Sequence, residues 1–188
     1  MRKLKLEVQL SVNGYVGGVS GDLNWTVSLY NKYWRLLHDI VGESDTLLIG
    51  RKIAEEFIPH FESFTVDHLP YSFAQKMVHI PKVTFTKPLN KPFGKNISHA
   101  KAGLSAKVCQ PKHQNGKDLL VYEGASFVSA LISRGHIDKL LLFINPVLIR
   151  HGLQIFVQVN EQQVLILISA RSYKCGVRVL HYKMSSQS

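Results

Sequence analysis

Asp45-Thr46-Leu47-Leu48-Ile49-Gly50-Arg51-Lys52 is a short apolar run that leads straight into a glycine turn and a basic pair. A helix is predicted from about residue 51 to 57, stopped by Pro59. A buried run of strand length followed by a glycine and a helix is the elementary unit of a parallel sheet. The pattern recurs downstream. Leu119-Leu120-Val121-Tyr122 enters Glu123-Gly124 and then a helix starting near Ala125 or Ser126, whose Phe127, Ala130 and Leu131 share a face and which ends at Gly135.

Upstream, Leu4, Leu6, Val8, Leu10 and Val12 alternate with Lys5, Glu7, Gln9 and Ser11. That period of two predicts a strand with one apolar and one polar face, running into Asn13-Gly14 and a glycine-rich loop through Gly17, Gly18 and Gly21. Tyr30, Tyr33, Trp34, Leu37, Ile40 and Val41 recur at helical spacing and predict an amphipathic helix ending near Gly42. Further strands are predicted at 82–86 and 139–145, and 164–170 with 177–182 form a terminal hairpin across Tyr173-Lys174-Cys175-Gly176. The stretch after residue 86 reads as loops with short strands. Alternating strands and helices closed by an antiparallel hairpin predict an α/β fold, a mixed sheet with helices on both faces, in a single domain over 1–188.

With 188 residues, 45% of them hydrophobic, the chain is long enough for a substantial core and reads as globular and soluble. No run approaches the roughly twenty apolar residues of a membrane span. The start, Met1-Arg2-Lys3-Leu4-Lys5, lacks the apolar core of a secretory signal, so the expected location is cytoplasmic. Cys109 and Cys175 are far apart, with no paired-cysteine motif, and the nine histidines are scattered, so no metal site is expected.

Charge is concentrated. Of the net +10, nine charges come from lysines 76, 82, 87, 91, 95, 101, 107, 112 and 117, and no acid or arginine stands between His68 and Lys117. Such a patch repels itself unless it is solvated or faces an anion. In open α/β sheets the helix N-termini beyond the strand ends bind anions, and both glycine turns stand there. Arg51 and Lys52 oppose the helix dipole, which suits a bound phosphate, although a surface helix can also simply begin with two basic residues. Thr86-Lys87 adds a hydroxyl and an ammonium at a third strand end.

The order of these motifs resembles the dihydrofolate reductase-like superfamily, nearest to the C-terminal reductase domain of the bifunctional riboflavin-biosynthesis (RibD) deaminase/reductase and its stand-alone relatives. The resemblance is carried by Ser11-Val12-Asn13-Gly14-Tyr15, Gly21-Asp22-Leu23-Asn24-Trp25, residues 45–52, Val83-Thr84-Phe85-Thr86-Lys87, Val121-Tyr122-Glu123-Gly124-Ala125-Ser126, Gly135-His136-Ile137-Asp138-Lys139-Leu140, and Asn145-Pro146-Val147-Leu148 with Gly152-Leu153-Gln154-Ile155-Phe156. It implies a three-layer α/β/α fold around a mixed, mostly parallel eight-stranded sheet. The implied activity is that of an NADPH-dependent reductase acting on a pteridine-like or pyrimidine-ribose substrate. Gly50, Arg51, Lys52, Thr86, Lys87, Gly124, Ala125, Ser126 and Phe127 are the implied cofactor residues; Asn13, Asp22 and Trp25 are the implied catalytic ones. A homodimer is implied as well.

The departures fall on chemistry. Asn13 and Asn24 stand where relatives carry aspartate, which leaves Asp22 as the nearest acid, or as a simple turn residue. Glu123 replaces a glycine of the phosphate turn, and a carboxylate about 4 Å from a phosphate charge would cost up to ~4 kcal/mol at an effective dielectric near 20. These changes define the alternative: a member that has lost turnover and serves as a nucleotide-binding or scaffold protein. A nucleic-acid role for the lysine patch is the weaker alternative, because the patch lacks arginine and offers few aromatic residues for stacking.

Overall fold

The computed structural model describes residues 1–27, 31–64, 71–84, 97–99, 103–122, 124–157 and 159–185, with backbone alone at 31–34, 51, 52, 54, 56, 57, 97–99 and 107. They divide into two compact units, Met1–Lys3 with Asn31–Glu123, and Leu4–Tyr30 with Gly124–Ser188.

The first unit holds α1 (Asn31–Gly42), β3 (Ser44–Ile49), α2 (Arg51–Glu62), α3 (Tyr71–His79), β4 (Lys82–Thr84), β5 (Ile97–His99), α4 (Leu104–Lys112) and β6 (Asp118–Tyr122). Its strands lie in the order β5-β4-β3-β6, all parallel, with Leu48 beside Val83 on one flank and Val121 on the other. Leu47, Leu48, Ile49, Leu119, Leu120 and Val121 are buried to within 2% exposure, as strands covered on both faces require.

Two helices here depart from the expectation. α2 continues through Pro59 to Glu62 rather than stopping before it, because Phe61 is buried and meets Phe73 of α3 edge-on at 5.7 Å. That packing outweighs the hydrogen bond that proline removes. α3 itself was not expected; its buried Phe73, Ala74, Met77 and Val78 have the spacing of a helical face. α4 likewise occupies part of the stretch read as loops.

The second unit holds β1 (Leu4–Ser11), β2 (Tyr15–Gly17), α5 (Ala125–Ser133), β7 (Lys139–Asn145), β8 (Leu153–Gln154), β9 (Leu165–Ser172) and β10 (Arg178–Met184). Its main strands run β1-β7-β10-β9, with β1 and β7 parallel and the terminal hairpin β9-β10 antiparallel, while β2 and β8 form a small separate ribbon. Eight main strands over the two units, mostly parallel and closed by a hairpin, match the architecture read from the sequence. α5 ends where expected: Gly135 takes a φ of 65°, and the amides of Gly135 and His136 bond the carbonyls of Ile132 and Leu131.

Candidate functional site

β1 delivers the chain to the end of its sheet at Ser11, and the turn that follows is held by side chains. The Ser11 hydroxyl donates to Asn13 Oδ1 at 2.9 Å and accepts from the amide of Tyr15, while Gly14 takes the φ of 84° that the turn requires. Asn13 then reaches across 136 residues of sequence: its Nδ2 donates to the carbonyl of Ile149 at 2.7 Å and its Oδ1 accepts from the Ile149 amide at 3.1 Å. A carbonyl must accept and an amide must donate, so the orientation of Asn13 is determined by its partners.

An aspartate at this position would bring a second acceptor against the Ile149 carbonyl. Asn13→Asp is therefore expected to lower stability by about 1–2 kcal/mol, read as a shift in the urea midpoint. An unchanged midpoint would show that the clasp contributes nothing.

Behind this turn lies a chain of polar side chains. Asn145, fully buried at the end of β7 and paired in register with Ser11, accepts from the amide of Val27 at 3.0 Å through Oδ1. Its Nδ2 donates to Gln9 Oε1 at 3.1 Å, and Gln9 Nε2 donates in turn to Glu7 Oε1 at 2.6 Å. Every donor in the chain points toward Glu7. Burial pushes the Glu7 carboxyl up to about 7, against the opposing pull of the Gln9 hydrogen bond. A carboxyl that titrates near neutrality can hold or release a proton at working pH.

Sequence reasoning noticed neither the chain nor Asn145 as a site residue. The signal was there: Asn145 is the polar residue that ends an apolar strand just before Pro146. The two polar residues inside β1 were also visible, as positions 7 and 9.

Asp22 and Trp25 are brought together in one exposed turn. Trp25 Nε1 donates to the Asp22 carbonyl at 3.1 Å, which also accepts from the Gly18 amide at 2.9 Å. The Asp22 carboxylate accepts from the Ser20 hydroxyl and lies so close to Gly18 that a Cβ there would sit 2.2 Å from Oδ2. Val27, two residues after Trp25, is the residue tied to Asn145, so this turn and the end of β7 are linked within the unit.

The two glycine turns are considered separately. In the first unit, Gly50 caps the start of α2 with extended backbone and no side-chain cap, and the first turn contains no acid. In the second, Gly124 does the same for α5. Gly124 has φ −71°, which any residue adopts, and a Cβ built on it meets nothing within 4 Å among the described residues beyond its chain neighbours. Neither backbone conformation nor packing requires a glycine there, and the open space fits close approach by a phosphate to the start of α5. The side chains of Arg51 and Lys52, and all of Thr86, Lys87 and Glu123, lie outside the described residues. No cluster of three or more potential metal ligands occurs among the described residues. No helix among them is long and apolar enough to cross a membrane.

The chain is similar to two uncharacterized proteins of Bacillus subtilis (strain 168). YyaP is 25% identical over 185 residues, covering 96% of this chain and 94% of that one; YwjB is 20% identical over 181 residues, covering 96% and 97%. Among solved structures, a putative riboflavin biosynthesis protein from Shewanella sp. PV-4 superposes with a TM-score of 0.73 at 16% identity, covering 97% of this chain and 99% of that one. A deaminase/5-amino-6-(5-phosphoribosylamino)uracil reductase from Thermotoga maritima gives 0.70 at 12% identity, covering 98% of this chain and 57% of its own. These neighbours share the fold, the dihydrofolate reductase-like one expected from the motifs. The family model for the RibD C-terminal domain matches residues 2–180, and the chain belongs to that family.

Proposed function

We propose that this protein is an NADPH-dependent reductase that transfers a hydride to a pteridine-like or pyrimidine-ribose substrate, working in the cytoplasm as a homodimer. The observation that carries the reading is at Gly124, a glycine required by neither conformation nor packing, which opens an uncapped helix with no acid in its first turn. Family membership over residues 2–180 supports it.

Gly124, Ala125, Ser126 and Phe127 would hold phosphate at one turn, and Gly50, Arg51, Lys52, Thr86 and Lys87 at the other. The dinucleotide, when bound, supplies the hydride. Asn13 acts as a positioning residue that holds the end of β1 to the loop after β7. Asp22 and Trp25 frame the substrate side through their shared turn. Reduction also consumes a proton, and Glu7, at the root of the Gln9–Asn145 chain, is a group able to store one near neutral pH.

The test is titration of the purified protein with NADPH and with NADH, followed by ligand fluorescence. NADPH is expected to bind more tightly by roughly tenfold or more, the contribution of charge-assisted contacts to the 2′-phosphate. Glu123→Gly is expected to tighten both dinucleotides by removing a like charge from the turn. Binding of neither one, with Glu123→Gly restoring neither, would sink the reading.

A further inference from the structure

The dipeptide Asn-Gly occurs twice in the sequence, at Asn13-Gly14 and at Asn115-Gly116, and both asparagines are exposed. The side-chain carbonyl carbon of an asparagine can be attacked by the backbone nitrogen of the next residue, most readily when that residue is a glycine with no side chain in the way. Exposure does not separate the two places; hydrogen bonding does. Asn13 Oδ1 accepts from the Ser11 hydroxyl and the Ile149 amide, and its Nδ2 donates to the Ile149 carbonyl. The Gly14 amide, the nitrogen that would attack, donates to the Ser11 carbonyl at 3.0 Å. Neither the Asn115 side chain nor the Gly116 amide makes a hydrogen bond among the described residues. The chain is tied just before them, where the Gln114 amide donates to the Pro111 carbonyl at 3.2 Å, and just after them, where the Lys117 amide donates to Asp45 Oδ2 at 2.7 Å. Arg2 forms an ion pair with Asp45 and donates through Nε to the Lys117 carbonyl. That arrangement requires a glycine at 116: its φ is 149°, and a Cβ would run into Asp45 Oδ2 and the Arg2 guanidinium. The backbone that packs against the ion pair is therefore the one that leaves an unhindered nitrogen beside a free amide.

We infer that Asn115 is a site of spontaneous deamidation, a slow covalent change that acts on the ion pair beside it. The Gly116 nitrogen, once solvent base has taken its proton, adds to Asn115 Cγ. A C–N bond closes a succinimide ring, and the side-chain nitrogen leaves as ammonia. Water then adds to either ring carbonyl and breaks its bond to nitrogen, leaving aspartate or, with the chain rerouted through the side chain, isoaspartate. Water is the only co-reactant, and nothing is oxidised or reduced. Either product carries a new negative charge, and isoaspartate adds a methylene to the backbone just before Gly116. Lys117, the next residue, is held at its amide by Asp45 and at its carbonyl by Arg2. Lengthening the chain there displaces both bonds, so the modified chain is expected to be the less stable one. Asn115 has no part in the reductase reading, and its chemistry is independent of that proposal.

The test is incubation of the purified full chain at neutral and at mildly alkaline pH, in buffer and in urea, followed by digestion and mass spectrometry. The peptide holding Asn115 is expected to gain about 1 Da and to split into aspartate and isoaspartate forms, faster at the higher pH. In buffer the Asn13 peptide is expected to convert more slowly by roughly tenfold or more, because several hydrogen bonds must open first; in urea the two rates are expected to converge. An Asn115 that stays intact in buffer while it converts in urea would overturn the site. Equal rates at the two asparagines in buffer would overturn the distinction that hydrogen bonding draws between them. Ion exchange separates the modified chain by its added negative charge, and its urea midpoint is expected to lie below that of the intact chain. An unchanged midpoint would overturn the link to Arg2 and Asp45. Asn115→Gln, whose longer side chain closes the ring far more slowly, is expected to hold its midpoint through the same incubation. A variant that drifts as wild type does would place the change elsewhere and overturn the link as well.

Discussion

Arg2→Ala is expected to lower folding stability by about 1–3 kcal/mol, the cost of leaving the partners of a buried charged donor unsatisfied. The Arg2 side chain is 5% exposed and forms an ion pair with Asp45, which is 37% exposed. Arg2 also donates to Thr46 Oγ1 at 2.9 Å and to the carbonyl of Lys117, and its backbone amide bonds the Lys112 carbonyl. Asp45 in turn accepts from the Thr46 hydroxyl at 2.9 Å and from the Lys117 amide at 2.7 Å.

Burial lowers the pKa of Arg2 while Asp118 raises it, and a guanidinium remains charged under either influence. Removing it strands Asp45 beside Gly116, which has a φ of 149° and no room for a Cβ. Equilibrium urea denaturation of Arg2→Ala, Asp45→Ala and the double variant would measure the effect. A coupling energy above about 1 kcal/mol is expected for groups in direct contact. A loss below about 1 kcal/mol in Arg2→Ala, or strict additivity, would mean that the cluster is only a surface contact.

The second large effect concerns Glu7. Its carboxyl, ordinarily at 4.5, stands at about 7 in the folded chain because burial disfavours the charge. Below the unfolded value the group is neutral in both states, and stability is full. As the pH rises from 4.5 toward 7 the unfolded chain ionises while the folded chain keeps its proton, so stability falls, by about 3 kcal/mol once both forms are charged. Glu7→Gln removes the titration and keeps an acceptor for Gln9. The variant is therefore expected to match wild type near pH 4.5 and to exceed it progressively up to about pH 7, as read from urea midpoints measured across that range. Parallel curves for the two proteins would show that the carboxyl escapes to water in the folded state.

Much of the fold was legible because strands and helices are written in local periodicity. The run at 45–49, the strand at 139–145 and the terminal hairpin fall where sequence spacing puts them. The misses have physical causes. Proline was taken as a stop at 59, but tertiary contact between Phe61 and Phe73 carries α2 onward. The helix α4 contains Pro111 and four polar or basic residues among nine, Ser105, Lys107, Gln110 and Lys112, so no strong apolar stripe announces it.

β1 is the instructive case for the candidate site. Its alternation was read correctly as strand and its odd positions as a polar face. In the structure Lys5 and Ser11 are buried and Glu7 and Gln9 half-buried, so that face of β1 is not given over to solvent. Asn13 was singled out for chemistry, and the structure engages both ends of its amide with Ile149.

Local order, then, was settled by the sequence: where strands begin, where glycines turn the chain, and where the positive charge collects. Tertiary structure alone decided which polar groups meet. Arg2 and Asp45, Asn13 and Ile149, and Asn145 and Val27 are distant in sequence, and no periodicity links them. Hydrogen bonds and ion pairs act over a few ångströms of space, so they become definite only when folding has removed the water that would otherwise take either partner's place.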